Sequence, residues 1–567
     1  MNRQIRFLAV FIVLCLSLNI YAKGQSRPAP QFRTLFSNDL TNITTCGSPY
    51  SPAGTPFDKK GLNGSVDETV GIGIDVHMLQ PGFGWVPLWK SNIYPFEEHA
   101  RWYKQRYGLE PSCFGDYMLQ GGDIVGDFLQ RCREKGMTAF ISMRMNDRHR
   151  MNIVDISKEE VEKIGVAPDC FQLRRNWGKN HTKELMAKYN EKIDRRLDLT
   201  GGKLYMEHPE YRLGDDFPIG TNNLWNWAIP EVRRHKLDFV TEICENYDID
   251  GFELDFTRHR SLFRNDMPMH ERREIMTSFV KRVRDVLDKT AKDGKYRWLS
   301  IRVPFRISEL KNMGVDIKSM HDAGVDIFNL ACDWTTQQQH DLAKIHATVP
   351  DAPLYIELTH AILTYRPGGE GSPRLTIMTT PEQLYTTAHL AYSRGAKGIT
   401  AFNFVYYRQY GRKLTEPPFE VFEILRDPEL VAQQPQHYCL SEKDYNSKRF
   451  SQTPGKDFDE TFAMDMAPPK NGWLTDGTLR LLMEPAFGDG SRELPCEVYF
   501  NNVRLEETMD ISEPYPTNLD EGLGDTDNLR AWVLPRSVVK NGVNEVRIKL
   551  PQGTKGASMV FLDVAIK

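Results

Sequence analysis

The sequence predicts an α/β protein, a (β/α)8 barrel followed by a smaller all-β sandwich. Eight segments have the residue pattern of strands, and amphipathic helical stretches separate most of them. After about residue 436 the pattern changes to short strands between Gly, Asn and Pro turns. A chain of 567 residues accommodates a barrel of roughly 250 to 400 residues and a second domain.

The eight predicted strands alternate with helices in chain order, as a (β/α)8 barrel requires. The helical stretches include 121–136, 230–247, 271–290 and 381–395, whereas 39–69 holds turn-rich sequence and no clear helix. The predicted strands are 32–38, 70–77, 138–147, 249–257, 298–305, 326–333, 353–360 and 398–405.

These patterns divide the chain into predicted domains. Residues 25–430 form the barrel with a long insertion at 147–229, and 437–567 form the sandwich. Residues 1–24 combine basic residues, a short apolar run and small residues, which is typical of a secretory signal peptide. We therefore expect an exported protein, periplasmic or extracellular, without integral membrane contact.

Composition excludes several function classes. A formal net charge of −4 gives no electrostatic reason to expect nucleic acid as a partner. Nine cysteines, of which Cys15 lies in the predicted leader, show no CxxC pair. We expect no metal and no cofactor.

The segment 249–259, IDGFELDFTRH, aims acidic side chains at the barrel mouth. Because a strand alternates its faces, Glu253, Asp255 and Thr257 share one side and the apolar residues share the other. The same alternation selects inward-facing polar residues on the other strands. They are Asp75, His77, Ser142, Arg144, Asn146, Ser300, Arg302, Asn329, Tyr355, Glu357, Thr359 and Asn403.

Asp255 and Glu357 are the carboxylates best placed on opposite parts of the rim, since catalytic groups of such barrels lie at the carboxyl ends of strands. A carboxylate pair suits glycoside hydrolysis, in which one group donates a proton and the other attacks the anomeric carbon or activates water. We assign Asp255 as acid/base and Glu357 as nucleophile, with retention of configuration favoured. The reverse assignment of roles stays open.

The fourth strand resembles the hallmark strand of glycosyl-hydrolase-like proteins related to family 10, which reads approximately DGIHLDYIRYP. The resemblance implies that Asp255 is the key acid and that Arg258 belongs to the site. The chain departs from this pattern at His259 and Arg260, and the matching residues are Asp250, Gly251, Leu254, Asp255 and Arg258.

Two further resemblances concern the rest of the chain. Carboxylates on the fourth and seventh strands are also the arrangement of a large clan of retaining barrel glycosidases. The segment 437–567 resembles galactose-binding-like sandwiches, and we favour a packing role for it over glycan binding.

Other interpretations of the polar residues remain. Glu253 with Arg144 and Arg302 could form a buried ion network without chemistry. Asp75 and His77 could orient a sugar hydroxyl, bind a metal or be satisfied locally, and no second set of ligands accompanies them.

Aromatic and basic residues in the rim segments suggest a saccharide cleft, because aromatic faces stack on sugar rings. Trp334 is one predicted contact, and we expect at least two of the following group to touch substrate: Trp85, Trp89, Trp177, Trp225, Trp227 and Trp334. An anionic glycan is a hypothesis drawn from the basic residues Arg144, Arg148, Arg258, Arg302 and Arg306.

The sequence thus predicts an exported glycoside hydrolase acting on a complex, possibly anionic polysaccharide or its oligosaccharides. A non-catalytic glycan-binding protein is the alternative. Removal of an ester or amide decoration ranks last, because no G-x-S-x-G elbow and no metal-ligand set are present.

Overall fold

The computed structural model describes residues 27–82, 84–107, 113–147, 202–214, 224–332, 334–364, 375–410, 416–440, 458–485, 495–512, 529–550 and 557–567. Two compact units divide the chain, residues 1–31 and residues 32–567, and every element below belongs to the second. The predicted signal peptide at 1–24 and most of the predicted insertion lie outside the described residues.

Eight parallel strands close into a barrel in which each strand pairs with its neighbours along the chain. This confirms the predicted fold class. The strands are β1 (Thr34–Asp39), β2 (Val76–Gln80), β3 (Thr138–Arg144), β4 (Gly251–Asp255), β5 (Trp298–Pro304), β6 (Ile327–Ala331), β7 (Leu354–Thr359) and β10 (Gly398–Phe402). A hairpin of β8 (Ala361–Thr364) and β9 (Leu375–Met378) follows β7 and was not predicted.

Helices lie between the strands and cover the apolar outer face of the barrel. Those before β4 are α1 (Leu40–Thr45), α2 (Lys59–Asp67), α3 (Phe96–Tyr107), α4 (Phe114–Leu119), α5 (Ile124–Glu134), α6 (Lys203–Glu207) and α7 (Pro230–Asn246). After β4 come α8 (Met269–Thr290), α9 (Ile307–Asn312), α10 (Ile317–Asp322), α11 (Leu342–Thr348), α12 (Pro381–Ser393), α13 (Tyr407–Tyr410), α14 (Val421–Leu425) and α15 (Pro428–Val431). Single 3₁₀ turns form at Pro209–Tyr211, Phe404–Tyr406 and Arg536–Val538.

The second strand begins later than the sequence pattern indicates. Most of the predicted segment 70–77 is a turn, in which Gly71 and Gly73 have φ values of 76° and 87°. A Cβ at Gly73 would lie 2.9 Å from the carbonyl oxygen of Phe422, so both the backbone conformation and the close approach favour glycine. The strand therefore begins six positions and ends three positions later than predicted.

Two antiparallel sheets follow the barrel, as predicted. A five-stranded sheet has the order β11 (Gln436–Leu440), β19 (Ala557–Ile566), β13 (Gly477–Pro485), β17 (Leu529–Leu534) and β16 (Glu506–Thr508). A four-stranded sheet has the order β12 (Phe458–Met466), β18 (Gly542–Leu550), β14 (Glu497–Phe500) and β15 (Val503–Arg504).

Specific polar contacts join the sandwich to the barrel. Arg394, which follows α12, donates from Nε and Nη2 to the Asp465 carboxylate at 2.9 and 2.6 Å. Gln338, after β6, donates to the carbonyl oxygen of His437 at 2.9 Å and accepts from the amide of Cys439 at 2.8 Å. Such satisfied, directional contacts fix one module against the other.

The barrel lumen is apolar at its lower end and charged at its upper end. A separate cluster fills the lower end: Leu35, Val76, Met78, Phe140, Ile327 and Tyr355. No described helix has the length and apolar character needed to cross a bilayer.

Candidate active site

One guanidinium joins the two predicted catalytic carboxylates. Arg302 lies on β5, and its Nη1 is 3.1 Å from both carboxylate oxygens of Asp255 at the end of β4. Its Nε and Nη2 donate to the Glu357 carboxylate on β7, each at 2.6 Å. All three side chains are fully buried, so the charges interact with little solvent screening.

Asp255 is held as an anion by a dense set of donors. Gln80 Nε2 donates to it at 2.8 Å, and the amide and hydroxyl of Thr257 donate at 2.9 and 2.7 Å. Burial alone would raise its pKa, but the positive charges of Arg302 and Arg144 and these hydrogen bonds outweigh that effect. The pKa of Asp255 therefore lies below its ordinary value.

Glu357 has the opposite shift. Burial raises its pKa above the ordinary value, although Arg302 and a 3.2 Å hydrogen bond from Asn329 Nδ2 oppose the change. Two neighbouring carboxyl groups thus have pKa values pushed apart by their surroundings, which is how acid and base roles are separated in many active sites.

Glu253 lies one inward position deeper on β4. It accepts from Ser142 Oγ at 2.8 Å and from Ser300 Oγ at 3.1 Å. Burial and the nearby charge of Asp255 raise the pKa of Glu253 to about 7. A carboxyl group that titrates near neutrality beneath two others extends the polar network into the lumen.

A second arginine occupies the neighbouring part of the mouth. Arg144, at the end of β3, donates to Asp39 and to Asp147, the latter at 2.6 Å, and its Nε donates to Gln80 at 3.2 Å. Arg144 and Arg302 are therefore already paired with carboxylates of the chain. Because their charges are matched within the chain, these two arginines no longer support the hypothesis of an anionic substrate.

The predicted inward orientation of Asp75 and His77 is wrong. Asp75 precedes β2, accepts from the amides of Arg33 and Thr34, and pairs with Arg426 at 2.9 Å. His77 faces the helical layer between Phe36 and Phe128, 5.2 Å from each ring. Because the side-chain period of a strand is two, an error of one residue in register moved both residues out of the site.

The other predicted residues lie at different depths along the barrel. Tyr355 lies in the apolar lower cluster, and its hydroxyl donates to the carbonyl oxygen of Phe32 at 2.7 Å. Asn146 binds the backbone of Trp225 and Ser261, which fixes the rim. Asn403, at φ 50°, accepts from the Asp39 amide at 3.2 Å.

Trp334 and Arg258 follow the carboxyl ends of β6 and β4 and are partly buried. The ring of Trp334 stacks on His360, with the two centroids 6.0 Å apart. Arg258 follows β4, and the adjacent His259 places Nδ1 3.6 Å from Asp147.

Three mouth residues were missed: Asp39, Gln80 and Asp147. Gln80 is the last residue of β2, and correct strand register would have placed it inward, two positions beyond Met78. Asp39 ends β1, and Asp147 lies three residues beyond β3. An acidic residue at the carboxyl end of each predicted strand was the available signal.

The predicted aromatic contacts are mostly buried. Trp85, Trp89, Trp225 and Trp227 each have at most 3% of their surface exposed. Trp89 donates from Nε1 to Glu242 at 2.8 Å, which is a packing contact. Trp177 and Arg148 lie outside the described residues. Within the described ranges, no group of three or more His, Cys, Asp or Glu has a metal-binding arrangement.

The fold and this cluster define a (β/α)8-barrel protein with paired carboxylates at the carboxyl ends of its strands. The sequence matches no family model and no curated protein. Solved structures with a similar chain path include three glycoside hydrolases.

The first is an α-amylase from Geobacillus thermoleovorans in complex with acarbose, 14% identical with TM-score 0.33, covering 93% of this chain and 100% of the other. The second is a maltogenic α-amylase from Thermotoga neapolitana, 12% identical with TM-score 0.34, covering 94% and 99%. The third is an α-L-fucosidase from Paenibacillus thiaminolyticus, 13% identical with TM-score 0.37, covering 71% and 49%. Similarity this distant assigns no activity to the chain.

Proposed function

We propose that this protein is a glycoside hydrolase in which Asp255 and Glu357 perform the chemistry. The observation that carries the proposal is the sharing of Arg302 by two carboxyl groups whose pKa values shift in opposite directions. Hydrolysis of a glycosidic bond requires one carboxyl group that donates a proton and one that remains ionised.

The pKa directions favour the reverse of the roles assigned from the sequence. Asp255, with the lowered pKa, is the ionised group that attacks the anomeric carbon. Glu357, with the raised pKa, protonates the leaving glycosidic oxygen. In the second step the Glu357 carboxylate takes a proton from water, whose oxygen attacks the anomeric carbon and releases Asp255.

Arg302 controls this cycle. Its two-pronged contact with Glu357 favours the ionised carboxylate, so substrate must displace that contact before Glu357 can carry a proton. The positive charge of Arg302 also stabilises Asp255 as an anion whenever the covalent bond to the sugar is broken.

Hydrolysis of a panel of neutral and acidic oligosaccharides tests the proposal. The wild type should release reducing ends from at least one, while Asp255→Asn and Glu357→Gln should each lose most of that activity, by about 10³-fold or more. Asp293→Asn and Glu274→Gln are matched controls on exposed residues. Full activity in either site variant would refute the assignment.

The stereochemical outcome provides an independent test. Nucleophilic attack by Asp255 predicts a product that retains the anomeric configuration, as followed by proton NMR during the first turnovers. An inverted product would mean that the ionised carboxylate activates water instead.

A glycan-binding protein is the second candidate, favoured by the complete burial of both carboxylate side chains and their internal hydrogen bonds. In that case no glycan of the panel is cleaved. Asp255→Asn would leave the affinity of the protein for its glycan unchanged.

Export and the role of the sandwich are further parts of the proposal. The predicted leader at 1–24 supports a periplasmic or extracellular location. The contacts of Arg394 and Gln338 support a packing role for residues 437–567. Secretion of the full chain with loss of its first residues, read by N-terminal sequencing, tests the first point.

A further inference from the structure

A cavity of about 360 Å³ lies on the rim of the barrel, between the segment that follows β4 and helix α9, which follows β5. Its volume is in the range of small-molecule sites, about 300–1,000 Å³. We call this cavity the rim pocket. Its walls include Arg260, Ser261, Asn265, Met269, Glu309 and Asn312.

Two cross-links hold the walls of the rim pocket together. Arg260, after β4, donates to the carboxylate of Glu309 on α9 at 2.5 Å. Nη1 of Arg272, in the first turn of α8, donates to the carbonyl oxygen of Asn312 at 2.9 Å. Its Nε and Nη2 donate to carbonyl oxygens in the segment 264–267 at 2.9 and 3.0 Å. The pocket is therefore preformed, and a ligand need not order its walls on binding.

Polar side chains of the rim pocket are open to solvent. The side chains of Arg260 and Glu309 are 24% and 35% exposed, and Asn265 and Asn312 are exposed residues. Among the described residues, the side-chain amides of both asparagines have no hydrogen-bond partner, since only their carbonyl oxygens accept from Arg272. Each amide therefore has two donors and an acceptor oxygen available for a ligand.

Met269 adds an exposed apolar surface to this polar wall. Its side chain is 56% exposed, the largest exposed fraction of any large hydrophobic residue in the described part of the barrel. The methionine side chain is flexible and polarisable, and it adapts to irregular ligand surfaces. A wall that combines free amides with an exposed thioether fits a ligand that has both hydroxyl groups and apolar C–H groups.

The charges of the rim pocket favour a neutral ligand. The guanidinium of Arg260 is already paired with the Glu309 carboxylate. Arg272 is 7% exposed, and its N–H groups are engaged by carbonyl oxygens. An acidic ligand would have to displace Glu309 from Arg260 and would then lie beside the displaced carboxylate.

The rim pocket lies at the same end of the barrel as the catalytic carboxylates. Arg260 follows Asp255 by five residues, so their Cα atoms are at most about 18 Å apart. The carbonyl oxygen of Ser261 accepts from Nδ2 of Asn146 at 3.0 Å. Asn146 lies two residues beyond the end of β3, so this contact fixes the pocket wall to the mouth.

We infer that the rim pocket is a distal subsite for one residue of a neutral glycan. A pyranose presents hydroxyl groups to the amides of Asn265 and Asn312 and an apolar C–H face to Met269. The inference rests on the proposed function, because it makes the substrate of the same enzyme an oligosaccharide long enough to extend from Asp255 to the pocket.

The test uses the full chain carrying Glu357→Gln, which prevents turnover. Maltohexaose, cellohexaose, xylohexaose and mannohexaose serve as neutral probes, and a hexamer of galacturonate serves as the acidic probe. Affinity is measured by calorimetry. The methyl signals of the methionines are followed by NMR with ¹³C-methyl-labelled methionine, and the Met269 signal is identified by its loss in Met269→Leu.

At least one neutral probe should bind and shift the methyl signal of Met269, because a sugar ring then covers this exposed side chain. The signal of Met509, which is 84% exposed on the sandwich, is the matched control and should not move. Asn265→Ala and Asn312→Ala should each weaken that probe about 3- to 10-fold, because each removes a hydrogen-bonding group. Asn246→Ala, at the exposed end of α7, should leave the affinity unchanged.

The inference is overturned if no neutral probe moves the Met269 signal, if both asparagine variants keep the full affinity, or if only galacturonate moves the signal. Failure of the proposed function is separate, because it appears as absence of cleavage by the wild type. A shifted Met269 signal without cleavage would keep the glycan site and remove the hydrolase. Cleavage of a probe that leaves Met269 unmoved would keep the hydrolase and remove the subsite.

Discussion

The guanidinium carbon of Arg302 lies 3.9 Å from the centroid of the Phe402 ring. Phe402 ends the last barrel strand, so one side of the planar guanidinium rests on an aromatic ring while its edges bind Asp255 and Glu357. Both the position and the plane of the guanidinium are thereby fixed. A lysine at this position could supply the charge but not two carboxylate contacts in one plane.

Replacement of Arg302 by methionine should destabilise the fold by about 3–5 kcal/mol, because it leaves two buried carboxylates without their partner. Arg302→Lys should recover part of the stability but little of the activity. Urea unfolding measures the stability, and Arg273→Met on the exposed face of α8 is the control. Equal stability of Arg302→Met and the wild type would contradict the ion-pair description.

Gln80 connects the two halves of the mouth, because its amide donates to Asp255 while its carbonyl accepts from Arg144. Gln80→Leu should cost about 1–3 kcal/mol in stability. Loss of the donor should also raise the pKa of Asp255, which moves the acid limb of the kcat/KM profile to higher pH. Gln130→Leu on the exposed side of α5 should move neither quantity.

Glu253 should make the stability depend on pH. Its folded-state pKa of about 7 exceeds the ordinary 4.5, so the folded chain retains a proton that the unfolded chain releases between those values. Raising the pH through this window therefore lowers the free energy of unfolding, by at most about 3 kcal/mol.

Glu253→Gln removes this titration. The stability of the variant relative to the wild type should increase from pH 4.5 to about 7 and stay level above it, as measured by urea unfolding at each pH. A difference that does not vary with pH would show that Glu253 titrates normally.

Asp75 and His77 should matter for the fold and not for catalysis. Asp75→Asn weakens the contact with Arg426 and should cost about 1 kcal/mol, while His77→Phe preserves an aromatic ring between Phe36 and Phe128. Both variants should retain the wild-type kcat and KM. A large loss of kcat without loss of stability would show that these two residues take part in catalysis.

The sequence predicted the barrel and its central strand because both depend on local patterns. Alternation in 249–257 correctly aims Glu253, Asp255 and Thr257 inward, and the same rule correctly places Arg302, Asn329 and Glu357. The prediction for the second strand was wrong because a glycine turn precedes β2. The residues of β2 are buried on both faces, so hydrophobicity did not identify the inward side.

The sequence by itself determined which carboxylates meet at the mouth, because parallel strands in consecutive order bring their carboxyl ends together. Tertiary structure alone decided how those carboxylates are charged. The contacts of Asp255 with Gln80 and Arg302 join residues far apart in the chain. These contacts outweigh the effect of burial on the pKa of Asp255, whereas burial dominates the pKa of Glu357. A pKa depends on the three-dimensional arrangement of charge and solvent, which residue order does not contain.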